Sequence, residues 1–171
     1  MKKSKIYDSY PVWMVILINI FVFLVYVSGA YIMFRFNWIA GVIFIVYLVL
    51  LEFYIYKEGC IHCFYYGKLC AFGKGAIVPF FFKKGDPKKF CEKVLSFKDF
   101  IPQILVILVP LITGIALIVS GDFDIWILIA MLYPLFSWFA INPFIYGKLA
   151  CPHCKQGTIC CPALDFFSKK K

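Results

Sequence analysis

From Val12 to Phe34 the chain reads VWMVILINIFVFLVYVSGAYIMF, without a single charged residue. A hydrocarbon core of about 30 Å takes about 20 helical residues, so this stretch alone is long enough to cross a bilayer. Its apolar residues run on continuously instead of alternating. Only helices and closed barrels satisfy their backbone groups in lipid, and a continuous run favours the helix. The stretch is too long for a signal-peptide core and no small-residue cleavage site follows it, so it is read as retained. Three more stretches have the same character: about Asn37 to Tyr56, Phe100 to Ser120 and Ile125 to Tyr146.

The rest of the 171 residues agrees with this reading. Hydrophobic residues make up 63%, against roughly half in a soluble domain. Charged residues are 16%, against about 25%, and the mean hydropathy is +0.87. That composition excludes a disordered chain and a water-soluble globule. An all-α polytopic protein of the cell membrane is expected, with four transmembrane helices in a single membrane domain, 1–171.

The charges orient it. Every basic residue except Arg35 lies before the first helix, between the second and third, or after the fourth. The other connection, Gly121 to Asp124, is acidic. Positive residues mark the cytoplasmic side, so both termini and the long middle loop are expected there. The net charge of +9 then reflects topology and attraction to anionic headgroups. The lysines are spread along membrane-proximal segments with almost no arginine, which argues against a nucleic-acid partner. Within the middle loop, Asp86 and Pro87 read as a helix start. Pro87 to Phe97 reads as a short amphipathic helix in the interface, and Asp99 as the cap of the third long helix. The Phe80-Phe81-Phe82 run reads as a lipid anchor, and Tyr7 and Tyr10 as part of an interfacial aromatic belt.

The two halves share a pattern. After the second helix comes Ile55-Tyr56, a spacer, and Cys60-Ile61-His62-Cys63; after the fourth comes Ile145-Tyr146, a spacer, and Cys151-Pro152-His153-Cys154. Each then reaches a glycine and a further cysteine, Gly67 and Cys70 in one copy, Gly157 and Cys160-Cys161 in the other. Both histidines of the chain fall at the same motif position. This points to a parallel duplication of a hairpin followed by a cytoplasmic C-x-H-C knuckle. Repeat one covers 11–75 and repeat two 99–165, joined by the loop 76–98 and followed by the basic tail 166–171.

All cysteines but Cys91 belong to these clusters. The cytosol is reducing, which disfavours a disulfide framework, whereas C-x-x-C lets two thiolates converge on one tetrahedral ion. Cys151 to Cys154 resembles the C-P-x-C knuckle of zinc ribbons and rubredoxin-like folds. The leading ligand set is Cys60, Cys63, Cys151 and Cys154, one shared site clamping the hairpins together. The alternative is one site per repeat, with Cys60, Cys63 and Cys70 in the first and Cys151, Cys154 and Cys160 or Cys161 in the second. His62 and His153 serve there as ligands or as donors to a thiolate or carbonyl. Zinc is the leading metal. Iron or an iron–sulfur cluster is the alternative, although neither ferredoxin spacing is present. Haem attachment needs a histidine directly after the second cysteine, and Phe64 and Lys155 stand there. Four-helix quinone-linked thiol oxidases use such cysteine pairs on the oxidising face, opposite to the side the lysines indicate.

Few polar groups lie in the spans. Glu52, near the cytoplasmic end of the second, is a candidate functional carboxylate, with a surface charge paired to Lys57 as the simpler reading. Asn19 can hydrogen-bond another helix. Pro110 and Pro134 sit mid-span and either kink or shape packing. Gly73-Lys74-Gly75 lacks a phosphate-binding pattern and reads as a flexible turn. No nucleophile–base pair, paired carboxylates or polar stripe occurs, so no enzyme activity is assigned. The expected function is a non-catalytic membrane metalloprotein presenting a platform to a cytoplasmic or membrane protein partner. A redox subunit linked to the quinone pool, through an iron–sulfur centre or reactive thiols, is the first alternative. Soft-metal handling or transport is the second.

Overall fold

The computed structural model describes residues 5–92 and 97–161, and their regular structure is helical. Four helices are long and apolar enough to cross a membrane. Helix α1 spans Val12–Phe36 and α2 spans Trp38–Glu58. Two short helices follow, α3 (Lys74–Ile77) and α4 (Pro87–Glu92), and then α5 (Phe97–Val119). The fourth long helix starts as α6 (Ile125–Phe136), passes through α7 (Asn142–Phe144) and runs to Ala150; α8 (Lys155–Ile159) comes last. Large apolar side chains stand outward along the long helices. Phe23, Ile43, Leu50 and Phe139 are between 62% and 75% exposed, a surface that suits lipid tails far better than water.

Short polar side chains set the helix ends. Asn37 Oδ1 accepts the Ile39 N–H at 2.8 Å and starts α2. Asp124 Oδ1 accepts the Trp126 N–H at 3.0 Å and starts α6, and Asp86 Oδ1 takes the Lys88 N–H at 2.9 Å before α4. Each satisfies one N–H that the first turn leaves over. Asp99 is not the cap expected for α5. That helix begins at Phe97, and Asp99 lies in its first turn, where a carboxylate suits the positive end of the helix dipole. Within the stretch read as Pro87 to Phe97, a helix runs from Pro87 to Glu92. Residues 93–96, the basic tail 166–171 and the end of repeat two lie outside the described residues.

The fourth helix departs from a uniform α form. Ser137–Ile141 and Ile145–Ala150 are π-helical. Pro134 and Pro143 supply no N–H and crowd the carbonyl four residues back, and wide turns occur where the ladder is interrupted in this way. Pro110, by contrast, leaves α5 continuous. It is buried, and its ring lies so near Gly29 that a Cβ there would sit 3.2 Å from Pro110 Cγ.

The chain packs as two units. One consists of Ile20–Glu52 and Phe97–Pro143. Its core is Ile32, Leu117, Ile127, Ala130 and Met131. Small residues bring the helices close: the Phe44 ring lies against Gly29 and Met131 against Gly114. Tyrosine hydroxyls link the helices as well. Tyr47 donates to the Pro102 carbonyl at 2.6 Å, Tyr133 to the Phe21 carbonyl at 3.2 Å, and Tyr26 to Glu52 Oε1 at 2.7 Å. Arg35, the one basic residue outside the lysine-rich segments, pairs with Asp122 at 3.0 Å. Substituting Gly29→Leu should cost roughly 1–3 kcal/mol, because Phe44 and Pro110 are both buried and neither can move away. Gly114→Ala should cost clearly less, since it meets only the flexible end of Met131. Thermal unfolding of the two variants in detergent measures the difference.

Candidate functional site

The other unit collects Met1–Asn19, Phe53–Ser96 and Phe144–Lys171, of which 5–19, 53–92 and 144–161 are described. These are the three lysine-rich segments, and buried polar side chains join them. Tyr65, 2% exposed, donates to the Tyr7 carbonyl at 2.7 Å and accepts the Lys155 N–H at 2.9 Å. Tyr10 packs on Tyr65 with ring centroids 5.6 Å apart and donates to the Ala150 carbonyl at 2.6 Å. Tyr7 stacks on His153, and its N–H bonds the His153 carbonyl. Gln156 is buried too. Its Oε1 accepts the Phe64 N–H at 2.7 Å while its Nε2 donates to the Cys160 carbonyl at 2.9 Å. Tyr7 and Tyr10 therefore bind three segments together, where the sequence reading placed them in an aromatic belt.

Both C-x-H-C motifs fold in the same way. Cys60–His62 and Cys151–His153 each form one 3-10 turn. Each is closed by the next cysteine: Cys63 N–H to the Cys60 carbonyl at 3.3 Å, and Cys154 N–H to the Cys151 carbonyl at 3.2 Å. A second turn follows in both, Tyr66 N–H to the Cys63 carbonyl and Gly157 N–H to the Cys154 carbonyl, each at 3.1 Å. Turning the chain this way aims N–H groups at the second sulfur. Tyr65 N–H bonds Cys63 Sγ, and the Gln156 and Gly157 N–H groups bond Cys154 Sγ.

Glycines position Cys70. Gly73 has φ 71°, a left-handed conformation that other residues rarely take. Gly75 passes so close to its neighbours that a Cβ would lie 2.2 Å from the Tyr65 carbonyl oxygen. Its N–H meets Cys70 Sγ at 3.4 Å. The stretch read as a flexible turn is thus a built one. Asn19 supports it from α1, donating to the Phe72 carbonyl at 3.2 Å as well as to the Val15 carbonyl of its own helix. The expected helix–helix bond from Asn19 is replaced by this helix–loop bond.

The fold brings five of the expected thiols together. Cys63 lies within electrostatic reach of Cys70, Cys154 and Cys161, and Cys151 within reach of Cys154 and Cys161. Burial, helped by repulsion from those neighbours, pushes the Cys63 thiol up to about 11 against the pull of the Tyr65 N–H. Burial raises Cys154 in the same direction. Both are therefore weaker acids than a free thiol. Cys160 does not join them as a thiol, because it is bonded to Cys91 across a Cα separation of 5.4 Å. That pairing is also a disulfide where the sequence reading expected none. Cys60 gives the first turn its accepting carbonyl. His153 Nδ1 donates to the Lys5 carbonyl at 2.6 Å. His62 packs beneath Gly85. Glu52 belongs to the other unit, where its Oε1 accepts from the Tyr26 hydroxyl at 2.7 Å. Among the described residues, no three His, Cys, Asp or Glu side chains converge as a group that could hold a metal ion. The thiols are gathered but not preformed into a coordination shell.

Compared with protein-family models, curated proteins and solved structures, the chain matches none.

Three contributors were missed from the sequence: Tyr65, Gln156 and the Cys91 partnership. Only the polar character of Gln156 beside a cysteine cluster gave any hint. Two outcomes follow. Alkylation of Cys63 by iodoacetamide, read by peptide mass, should be slow at pH 7.5 and rise up to about pH 11, because only the thiolate reacts and the folded site holds the proton. Gly75→Ala should disrupt the Cys60–Cys70 segment, since the added carbon meets backbone; limited trypsin digestion should then cut at Lys68 and Lys74 far faster than in the parent.

Proposed function

We propose that this chain is a non-catalytic integral membrane metalloprotein whose duplicated cysteine motifs bind zinc, or alternatively iron, and so lock the two halves into a platform for a partner protein. The observation that carries the reading is the gathering of Cys63, Cys70, Cys151, Cys154 and Cys161 in one unit with N–H groups aimed at three of the sulfurs. Such N–H groups stabilise thiolate charge and tune a bound ion. The matching double turns at Cys60–Tyr66 and Cys151–Gly157 support a repeated hairpin ending in a knuckle. The positive-inside bias supports a cytoplasmic location for both termini and the middle loop. All three segments fold into one unit, as they would on one side of a bilayer.

The donor chemistry suits zinc. Soft thiolates hold it well, and Cys63 and Cys154 are the residues we assign first, with Cys151, Cys161 and Cys70 completing the set. The ion would supply charge neutralisation and cross-linking, drawing neutral thiols into thiolate form with release of protons. The chain's own part is to bring two distant motifs together through Tyr65 and Gln156, so that binding free energy becomes folding free energy. The platform would be the lysine-rich surface around the thiols, suited to an acidic partner or to anionic headgroups.

The test is elemental analysis of protein purified without oxygen, compared with a Cys63→Ser/Cys154→Ser double variant. About one zinc per chain, lost in the variant together with thermal stability, is the expected result. Iron with acid-labile sulfide would move the assignment to the iron form. Absence of any bound metal from the parent would overturn the proposal.

A further inference from the structure

A cleft of about 230 Å³ opens beside the thiol cluster. Its walls include Cys63, Phe64, Lys68, Lys84, Cys91 and Gln156. A free thiol, one half of a disulfide and two lysine side chains thus share one small space. The two bonded sulfurs are not equivalent. Cys91 is exposed on the cleft wall, whereas Cys160 is half-buried. Gln156 Nε2 donates to Cys160 Sγ at 3.3 Å, and Gln156 is itself held by the Phe64 N–H and the Cys160 carbonyl. An N–H fixed on a sulfur stabilises negative charge there. In thiol–disulfide exchange, the sulfur that best carries charge departs fastest.

We propose that this cleft is a thiol–disulfide exchange site, at which a small anionic thiol bound by Lys68 and Lys84 attacks Cys91 and expels Cys160. The incoming thiolate forms a bond to Cys91 Sγ as the Cys91–Cys160 bond breaks, and the electron pair goes to Cys160 Sγ under the Gln156 amide. A second molecule of the same thiol then attacks the outer sulfur of the adduct, releasing Cys91 as a thiolate. Two small thiols become one small disulfide, and the protein disulfide becomes two thiols. The electrons come wholly from the reductant. Two features fit this use. Lys68 and Lys84 in the cleft lining attract negative charge, and a chain oriented by its lysines presents the disulfide to a compartment where such bonds are as a rule transient and chemical, not structural. The proposal is independent of metal binding.

The experiment uses the full chain in detergent micelles, first equilibrated with glutathione disulfide. Peptide mapping should find Cys91 linked to Cys160. The oxidised protein is then reduced with glutathione, which is anionic, or with cysteamine, which is cationic, at equal thiolate concentrations. Glutathione should react roughly tenfold faster, the lower end of the usual electrostatic rate enhancement. Quenched samples should carry the glutathione adduct on Cys91, with Cys160 free. Lys68→Ala/Lys84→Ala, two exposed changes, should remove the preference without altering the adduct position. Gln156→Leu should slow the reaction with both thiols. Equal rates for the two reductants, an adduct on Cys160, or failure to find the Cys91–Cys160 linkage would each overturn the proposal.

Discussion

The hydroxyl of Tyr65 holds three remote pieces of the chain at once. Its proton goes to the Tyr7 carbonyl and its lone pair takes the Lys155 N–H, while its ring is buried against Tyr10. Without that phenol, the N-terminal segment and the second cysteine segment would each leave a backbone group unmatched inside the unit, at a cost of about 1–3 kcal/mol per group. The gathering of the thiols is therefore a consequence of tyrosine packing and backbone hydrogen bonding, with the sulfurs carried along. Burial that serves the tyrosines also raises the thiols: Tyr65 itself is pushed up to about 12, chiefly by desolvation, and Cys63 follows for the same reason.

How much of this was legible depended on whether the signal was periodic. The four long helices were readable because lipid demands uninterrupted apolar length, and α1 begins at Val12 as the apolar run does. Helix ends were less so. Asp86 could be read as a cap because Pro87 follows it, but Asp99 could not be placed, since Phe97 and Lys98 before it carry no start signal. The wide turns after Pro134 were not foreseeable, because a proline states only which N–H is missing and not how the chain will rearrange.

Within the thiol-bearing unit, motif spacing located the cysteines but not their neighbours. Tyr7 and Tyr10 match an interfacial belt by composition as well as they match a buried cluster, and only the chain's return at Tyr65 decides between the two. The same holds for Gly75. Nothing local distinguishes a loose glycine from one that passes within contact of the Tyr65 carbonyl. Cys91 stood apart from both clusters in sequence, so its pairing with Cys160, 69 residues away, depended on a tertiary approach that no spacing encodes.

The discontinuity of this unit has a consequence for biogenesis. Lys155 and Gln156, which complete the surroundings of Tyr65 and Phe64, lie about ninety positions downstream. At a synthesis rate of about 5–20 residues per second, the first cysteine segment waits on the order of 5–20 s before its counterpart leaves the ribosome. Both later long apolar helices are made in that interval. A ribosome that stops before Lys155 leaves the Tyr65 hydroxyl and the Phe64 N–H without these partners. The surroundings of Tyr65 and Phe64 are thus completed only by a stretch made well after them.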